Sequence, residues 1–246
     1  MLKEDERIDH LLKDSSKRII QSPTVFSYSL DSVLLADFAS VPKKRGKILD
    51  LCSGNGIVPL LLTQQSSVPI TGVEIQERLY DMAVRTISLN QLENQLDMIH
   101  GDLKEMPSHF KNNKFDLVTV NPPYFSTPSS QHQNISEYVT FARHEILCNL
   151  EDVVKACSKL AKSGGKVAMV HRPAKLVDIL VLFRQYKIEP KRIRLVYPKI
   201  GKEANMLLIE GIRDGKPDLK HLPPLITYEE NGEYTEEMRG IIYGTE

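Results

Sequence analysis

Apolar and polar positions change along the chain in a pattern that predicts strands alternating with helices. From residue 47 onward, short runs rich in Val, Ile and Leu have the length of strands, and most are followed by stretches with helical spacing. The predicted strands are 47–52, 69–75, 96–102, 115–120 and 166–171, and the predicted helices are 57–65, 76–91, 144–162 and 173–186. Strands that are apolar on both faces and alternate with helices indicate a mostly parallel sheet with helices on each side.

Two more strands, 192–198 and 204–213, are separated by only a few residues and therefore predict a β-hairpin. With the five strands before it, this hairpin completes a seven-stranded sheet in a Rossmann-like α/β fold. Residues 1–46 do not follow the alternation, and we expect them to form an N-terminal cap on a domain of residues 47–213. Residues 214–246, with three prolines, are expected to be an irregular C-terminal tail.

Composition excludes several classes of protein. The hydrophobic share of 41% and the charged share of 26% are ordinary for a globular chain. No apolar run reaches the ~18–20 residues that cross a bilayer, and the charged N-terminus lacks a signal core, so we expect a cytoplasmic protein. Three scattered cysteines, Cys52, Cys148 and Cys157, predict neither a disulfide framework nor a metal site. The sequence does not determine the oligomeric state, for which we expect a monomer.

The charge is balanced overall but uneven along the chain. With 32 basic and 32 acidic side chains, the chain does not have the character of a protein that coats nucleic acid. Between residues 184 and 202, however, seven basic side chains stand against one acid. This basic run is either a solvated helix end and strand edge or a substrate-binding patch, with Lys191, Arg192 and Arg194 as the candidate contacts.

A glycine-rich loop follows the first predicted strand, in the sequence DLCSGNG of residues 50–56. Such a turn brings backbone N–H groups close to a ligand. Glu74, twenty residues beyond Gly54, ends the second strand, where a carboxylate can accept the hydroxyls of a nucleoside ribose. Pro59 occupies the third glycine position of the dinucleotide motif, which disfavours that ligand. The candidate cofactor residues of this region are Asp50, Cys52, Gly54, Gly56 and Glu74.

The loop instead resembles the cofactor motif of class I S-adenosylmethionine-dependent methyltransferases, in which an acidic residue precedes alternating glycines. Cys52 fills the first glycine position of that motif, so an ordinary negative φ is expected there. Asp102, which ends the third strand, matches the position where the resemblance implies a contact with the adenine amino group of the cofactor. The alternative for Asp102 is a local helix cap.

The fourth strand ends in Asn121-Pro122-Pro123-Tyr124. Two prolines terminate a strand, and each also holds the preceding residue extended. The Asn121 side-chain oxygen and the Pro122 carbonyl can then accept both hydrogens of an exocyclic amine, which directs the nitrogen lone pair at a sulfonium methyl group. Tyr124 offers an aromatic face to a flipped base. The motif therefore predicts Asn121, Pro122 and Tyr124 as catalytic residues, with Asn121 also beside the cofactor.

Several stretches together resemble one family, the bacterial tRNA1(Val) adenine-37 N6-methyltransferases. They are FSYSLDSVLLA (26–36), DLCSGNGIVPLLL (50–62), FDLVTVNPPYF (115–125), ARHE (142–145) and ANMLLIEG (204–211). The resemblance implies methyl transfer from S-adenosylmethionine to the N6 amine of a tRNA adenine, without metal or membrane. It also implies that the N-terminal segment covers the cofactor, although core packing of that segment is the alternative.

The expected substrate-binding residues beyond the basic run are Pro123, Tyr124, Phe125 and Arg143, of which Arg143 could instead pair with nearby acids. Similar motifs occur in enzymes that methylate DNA adenine N6, ribosomal guanine N2 or release-factor glutamine, and these remain alternatives. A dinucleotide-dependent oxidoreductase would need an acid or base for hydride transfer, such as a Tyr-x-x-x-Lys pair, and none follows the fourth strand. A non-catalytic module would not need the Asn121–Tyr124 motif.

Overall fold

The computed structural model describes residues 2–11, 14–25, 29–123 and 148–244. The strands in these ranges are β1 (Arg7–His10), β2 (Arg18–Gln21), β3 (Ile48–Leu51), β4 (Ile70–Glu74), β5 (Leu96–His100), β6 (Phe115–Val120), β7 (Ala161–His171), β8 (Ile188–Tyr197), β9 (Met206–Arg213), β10 (Lys220–His221) and β11 (Leu225–Ile226). The helices are α1 (Leu30–Phe38), α2 (Ile57–Thr63), α3 (Glu77–Leu89), α4 (Met106–Phe110), α5 (Leu150–Leu160), α6 (Leu176–Gln185) and α7 (Glu236–Tyr243).

One large sheet forms the centre of the molecule. Its strand order is β10-β8-β9-β7-β6-β3-β4-β5, and β11 also pairs with β8. The strands from β3 to β7 run parallel, whereas β9 lies antiparallel between β7 and β8. The predicted mostly parallel sheet with a C-terminal hairpin is therefore confirmed, and the two short tail strands extend it at the β8 edge. The separate strands β1 and β2 form an antiparallel hairpin.

Helices cover both faces of the sheet, as the apolar strands predicted. In β6, Leu117 belongs to the core cluster that contains α1, α2 and α7, whereas its neighbour Val118 belongs to the cluster that contains α5 and α6. Successive side chains of a strand point to opposite faces, so each apolar strand contributes to both clusters. This arrangement leaves the strand ends as the places where polar groups gather.

The helix before β7 ends earlier than its sequence pattern predicted. It was expected over 144–162, but α5 ends at Leu160 and Ala161 already pairs with Phe115 of β6. Pairing with β6 thus takes over where the helical pattern would continue. At its other end, Asn149 and Asp152 form a reciprocal capping box that starts the helix at Leu150. Residues 144–147 lie outside the described residues.

The C-terminal tail is ordered, contrary to the expectation of an irregular segment. Strands β10 and β11 pair in parallel with β8, and α7 buries Met238, Ile241 and Ile242 in the same core cluster as α1. The three prolines, at 217, 223 and 224, lie between these short elements rather than inside them. Among the helices of the described ranges, none has the length and apolar character that crossing a bilayer requires.

Candidate active site

The candidate residues lie where the direction of the sheet connections reverses. From β3 the chain continues outward to β4 and β5, whereas β6 and β7 lie on the other side of β3. In open parallel sheets, ligands bind at the carboxyl ends of the strands that flank such a switch point. Leu51 of β3 pairs with Val120 of β6, so the glycine loop and Asn121 begin side by side. The sheet topology therefore brings together the two motifs that the sequence singled out.

The glycine loop reverses the chain through left-handed backbone conformations. Gly54 has φ 57° and Gly56 has φ 84°. Nothing lies within 4 Å of the position that a side-chain Cβ on Gly54 would occupy, so the backbone next to this residue is open to a ligand. Gly56 caps α2, and a Cβ there would lie 3.1 Å from the Cβ of Ala83. Glycine is thus required for conformation at both positions and for helix packing at the second.

Cys52 departs from its expected conformation. A negative φ was predicted, but Cys52 has φ 57°. The cause is non-local: the next residue, Ser53, donates its backbone N–H to the carbonyl of Val73 on β4 at 3.0 Å. The chain must turn sharply after β3 to reach that acceptor, so a cysteine adopts the left-handed conformation that glycine usually takes.

Asp50 faces groups of the protein itself. It is 1% exposed and accepts hydrogen bonds from the Thr119 hydroxyl at 2.6 Å and from the Ser53 hydroxyl at 2.7 Å. Burial, together with the nearby charge of Glu74, raises the pKa of this carboxyl to about 7, although the two hydroxyl hydrogen bonds act to lower it. Asp50 therefore connects the glycine loop to β6. Its expected contact with a cofactor stays a prediction.

Glu74 holds the other side of the loop. Its buried carboxylate accepts the backbone N–H of Gly54 at 2.8 Å on one oxygen and that of Gln76 at 2.9 Å on the other. A carboxylate oxygen has two lone pairs, so the oxygen that accepts from Gly54 can accept one more hydrogen bond, whereas the other also accepts the Gln76 side-chain amide at 3.3 Å. Glu74 thus lies beside the open face of Gly54 with one oxygen able to accept a hydroxyl, as a ribose would supply.

Asp102 makes local contacts but does not cap a helix, because the N-cap residue of α4 is Glu105. One carboxylate oxygen accepts the backbone N–H of Lys104 at 2.8 Å, and the other lies 3.4 Å from the Lys104 ammonium nitrogen. These contacts stabilise the turn that leads to α4. The side chain remains 23% exposed at the end of β5. Its contact with a cofactor adenine stays a prediction.

The amide of Asn121 has a defined partner. Its nitrogen Nδ2 donates to the hydroxyl oxygen of Ser32, a buried residue of α1, at 3.1 Å. Because the amide group is planar, the oxygen Oδ1 occupies the other edge and is oriented as an acceptor. Pro122 is buried and Pro123 is half-buried. Tyr124, Phe125 and Arg143 lie outside the described residues.

The basic run forms contacts within the protein. The Arg192 guanidinium lies 3.1 Å from the buried carboxylate of Glu210, donates to the Phe38 carbonyl at 2.7 Å and stacks on the Phe38 ring. Arg194 pairs with Glu237 of α7 at 2.6 Å. The Lys191 ammonium donates to the Lys216 carbonyl at 3.0 Å. These three side chains therefore attach β8 to α1 and to the tail, and their contact with RNA stays a prediction.

Sequence reasoning missed three polar residues that organise the site. They are Ser32, Ser53 and Thr119, which hydrogen-bond to Asn121 or Asp50. Thr119 interrupts the apolar stretch of FDLVTV and Ser32 comes directly before the apolar run VLLA, and these positions were the available signal. Asn55 of the glycine loop makes a different contact, since its side chain donates to the Ile20 carbonyl of the N-terminal hairpin at 3.1 Å.

Residues 16–177 match the methyltransferase small domain family. The chain belongs to this family. It is 28% identical over 218 residues, 86% of each chain, to a protein named tRNA1(Val) (adenine(37)-N6)-methyltransferase from Parabacteroides distasonis. A protein of the same name from Aeromonas salmonicida is 28% identical over 181 residues, 73% of each chain. A crystal structure of a predicted O-methyltransferase from Agrobacterium tumefaciens superimposes with a TM-score of 0.68 at 20% identity, covering 87% of this chain and 96% of that one.

Membership of this family confirms the predicted methyltransferase, and the fold confirms the predicted class I architecture. The oxidoreductase alternative is thereby set aside. Within the described ranges, no group of three or more His, Cys, Asp or Glu side chains is arranged to hold a metal ion.

Proposed function

We propose that this protein transfers the methyl group of S-adenosylmethionine to the N6 amine of an adenine in tRNA, at position 37 of tRNA1(Val). The observation that carries the proposal is the orientation of the Asn121 amide, whose nitrogen donates to Ser32 while its oxygen is left as an acceptor at the end of β6. The names of the two relatives support the choice of tRNA adenine. This substrate agrees with the expected cytoplasmic location.

The residues around the glycine loop fit S-adenosylmethionine. Glu74 can accept one ribose hydroxyl on the oxygen that has a remaining lone pair beside the open face of Gly54, and a second on the other oxygen in place of the longer bond from the Gln76 side-chain amide at 3.3 Å. The backbone at Gly54 and Gly56 allows close approach of the amino acid part of the cofactor. We assign the adenine amino group to Asp102, and we place Asp50 and Cys52 behind the loop as its support.

Asn121 and Pro122 position the amine of the target adenine. The Asn121 oxygen and the Pro122 carbonyl each accept one hydrogen of the N6 amine, which draws the nitrogen toward tetrahedral geometry. S-adenosylmethionine supplies an electrophilic methyl group on a positively charged sulfur. The amine nitrogen forms the new bond to carbon as the sulfur–carbon bond breaks, and the sulfur keeps the electron pair. The methylated amine then loses one proton to solvent, so no strong base is needed.

The remaining substrate contacts follow from the sequence. Tyr124 and Phe125 are proposed to stack on the flipped adenine beside Pro123, and Arg143 is proposed to contact a phosphate. Lys191, Arg192 and Arg194 are weaker candidates for phosphate contact, because their charged groups have partners within the protein. Lys199 and Lys202, in the turn between β8 and β9, are exposed or half-exposed and complete the basic run.

Methyl transfer to bulk tRNA tests the proposal. Protein incubated with labelled S-adenosylmethionine and tRNA should yield N6-methyladenosine on nucleoside analysis. Asn121→Ala should lower kcat by ~10²–10³-fold, because it removes an acceptor that matters most as the amine becomes tetrahedral. Calorimetry with S-adenosylhomocysteine should show nearly unchanged binding in that variant.

Glu74→Ala tests cofactor binding in the same way that Asn121→Ala tests catalysis. It should weaken S-adenosylhomocysteine binding by ~1–3 kcal/mol, as expected when charged hydrogen bonds are lost. A release factor serves as the competing substrate in the labelling experiment. Label in glutamine, or in guanine alone, would contradict the adenine assignment.

A further inference from the structure

The contact between Ser32 and Asn121 joins two parts of the chain that the sequence separates by 89 residues. Ser32 is 2% exposed and lies in the first turn of α1, among the buried residues Val33, Leu34 and Leu35. A serine hydroxyl in such a place must have a polar partner, because burying it alone costs free energy. Its partner is the amide that the proposed reaction uses.

The two ends of an asparagine side-chain amide are similar in shape but different in chemistry. A half-turn of the amide exchanges the oxygen for the NH2 group with almost no change in volume. With the oxygen toward the substrate, Asn121 accepts a hydrogen of the amine, whereas with the NH2 group there it would repel that hydrogen. With the oxygen toward the substrate, the NH2 group points away from it and needs an acceptor, and the Ser32 hydroxyl oxygen accepts the hydrogen bond from Nδ2.

The helix that carries Ser32 is held firmly at its opposite end. The Phe38 carbonyl, in its last turn, accepts a hydrogen bond from Arg192 at 2.7 Å. The next polar residue, Ser40, donates both its backbone N–H and its hydroxyl to Glu210 of β9, at 2.7 and 2.8 Å. Moving α1 along the sheet would break these bonds. They therefore hold the Ser32 hydroxyl in place relative to the end of β6.

We propose that Ser32 is a positioning residue for methyl transfer, which holds the Asn121 amide with its oxygen toward the substrate amine. The inference rests on the proposed function. It gives α1 a role beyond core packing. It also gives Arg192 and Glu210 an indirect role, since they anchor the helix that carries the hydroxyl.

Steady-state kinetics of Ser32 variants test the inference. Ser32→Ala should lower kcat about tenfold, because losing one hydrogen bond raises the activation free energy by that equivalent. The KM for tRNA and the affinity for S-adenosylhomocysteine should stay unchanged. In an Asn121→Ala background the same change should have no further effect on kcat, because the amide it orients is gone. Ser158→Ala is the matched control, since Ser158 is also buried and donates to the Tyr186 carbonyl at 2.5 Å. That variant should lower Tm and leave kcat unchanged.

A second pair of variants separates the hydroxyl from the volume of the side chain. Ser32→Thr keeps a hydroxyl and Ser32→Val has nearly the same size without it, so only the threonine variant should retain most of the activity. Equal kcat in these two, or an unchanged kcat in Ser32→Ala, would overturn the inference. Full activity of Asn121→Ala would instead contradict the proposed function, so the two failures are distinguishable.

Discussion

The two ends of the chain are attached to the same domain by different proportions of ionic and apolar contact. Both ends bury apolar side chains, Ile19 and Ile20 in the N-terminal hairpin and Leu225, Met238 and Ile242 in the C-terminal tail. The segment before β1 adds ion pairs to α3, Lys3 with Asp81 at 2.8 Å, Asp5 with Arg78 at 2.8 Å and Glu6 with Arg85 at 2.6 Å, whereas the tail pairs Glu237 with Arg194 of β8. Exposed ion pairs contribute ~0–1 kcal/mol each, whereas one fully buried apolar side chain contributes ~1.5–3 kcal/mol.

This difference corresponds to what each end supports. The hairpin lies beside the glycine loop, where Asn55 donates to the Ile20 carbonyl and Ile20 donates to the Thr86 hydroxyl, both at 3.1 Å. The tail helix α7 packs in the same core cluster as α1, which carries Ser32. The attachment next to the proposed cofactor loop is thus expected to be the more sensitive to pH and salt. The attachment of α1 rests mainly on apolar burial, beside the ion pairs of Arg192 with Glu210 and of Arg194 with Glu237.

Removing a buried apolar side chain of the tail should reduce the free energy of unfolding the most. Met238 is fully buried, so Met238→Ala should reduce the free energy of unfolding by ~2–5 kcal/mol, measured by urea denaturation. Tyr243→Ala in the same helix is the control, because Tyr243 is 60% exposed and its loss should change stability little. Similar losses in both variants would mean that α7 is not held by its apolar face.

Breaking the ion pair of the N-terminal segment that is least exposed to solvent should reduce the free energy of unfolding by a smaller amount. Arg85 donates to both oxygens of Glu6, whose side chain is covered, and also to Asp81. Arg85→Ala should cost ~1–3 kcal/mol, the usual loss for hydrogen bonds between charged groups. Arg7→Ala removes a half-exposed pair with Asp9 and serves as the control, with an expected loss below ~1 kcal/mol. If the two variants unfold at the same urea concentration, the hairpin is held by something other than this pair.

Acid should loosen the hairpin and leave the tail in place. Hydrogen bonds from Thr24 and Ser22, together with Arg78, lower the pKa of Asp5 to about 2, and contacts with Arg85 lower the pKa of Glu6. A carboxyl whose folded pKa is depressed stabilises the fold above its ordinary pKa near 4, and this contribution is lost as pH falls toward 2. Amide protection factors from hydrogen exchange should therefore drop between about pH 4 and pH 2 for β1 and β2 but not for α7. Asp5→Asn should flatten the dependence, and a parallel drop in α7 would show global unfolding instead.

The fold was predictable because its signals are local. Apolar runs of strand length followed by helical spacing gave every strand from β3 to β9, and the short β8–β9 connection gave the hairpin. The tail helix also has a local signal, since Met238, Ile241 and Ile242 have helical spacing, but the three prolines before it favour irregular structure. These prolines lie before α7 and therefore do not oppose its formation.

The sequence predicted the motifs of the site but not the hydrogen-bond partners that its residues have within the protein. Asn121, Glu74 and the two glycines follow from short patterns, whereas the positive φ of Cys52 and the partner of Asp50 depend on residues of other strands. The basic run was misleading for the same reason. Arg192 pairs across the hairpin with Glu210, and that register depends on an irregularity between Pro190 and Arg192 that no local pattern reveals.

The hydrogen bond between Thr119 and Asp50 has a consequence for biosynthesis. It spans 69 residues, and the parallel pairing of β3 with β6 that accompanies it is a non-local contact of the kind that forms slowly. When the glycine loop of a nascent chain has just left the ribosome, β6, whose Thr119 holds that loop through Asp50, has not yet been synthesised. The methyl donor can therefore stabilise the folded enzyme but cannot act as a template for its first half, and competence to bind it should arise only once β6 has emerged and paired.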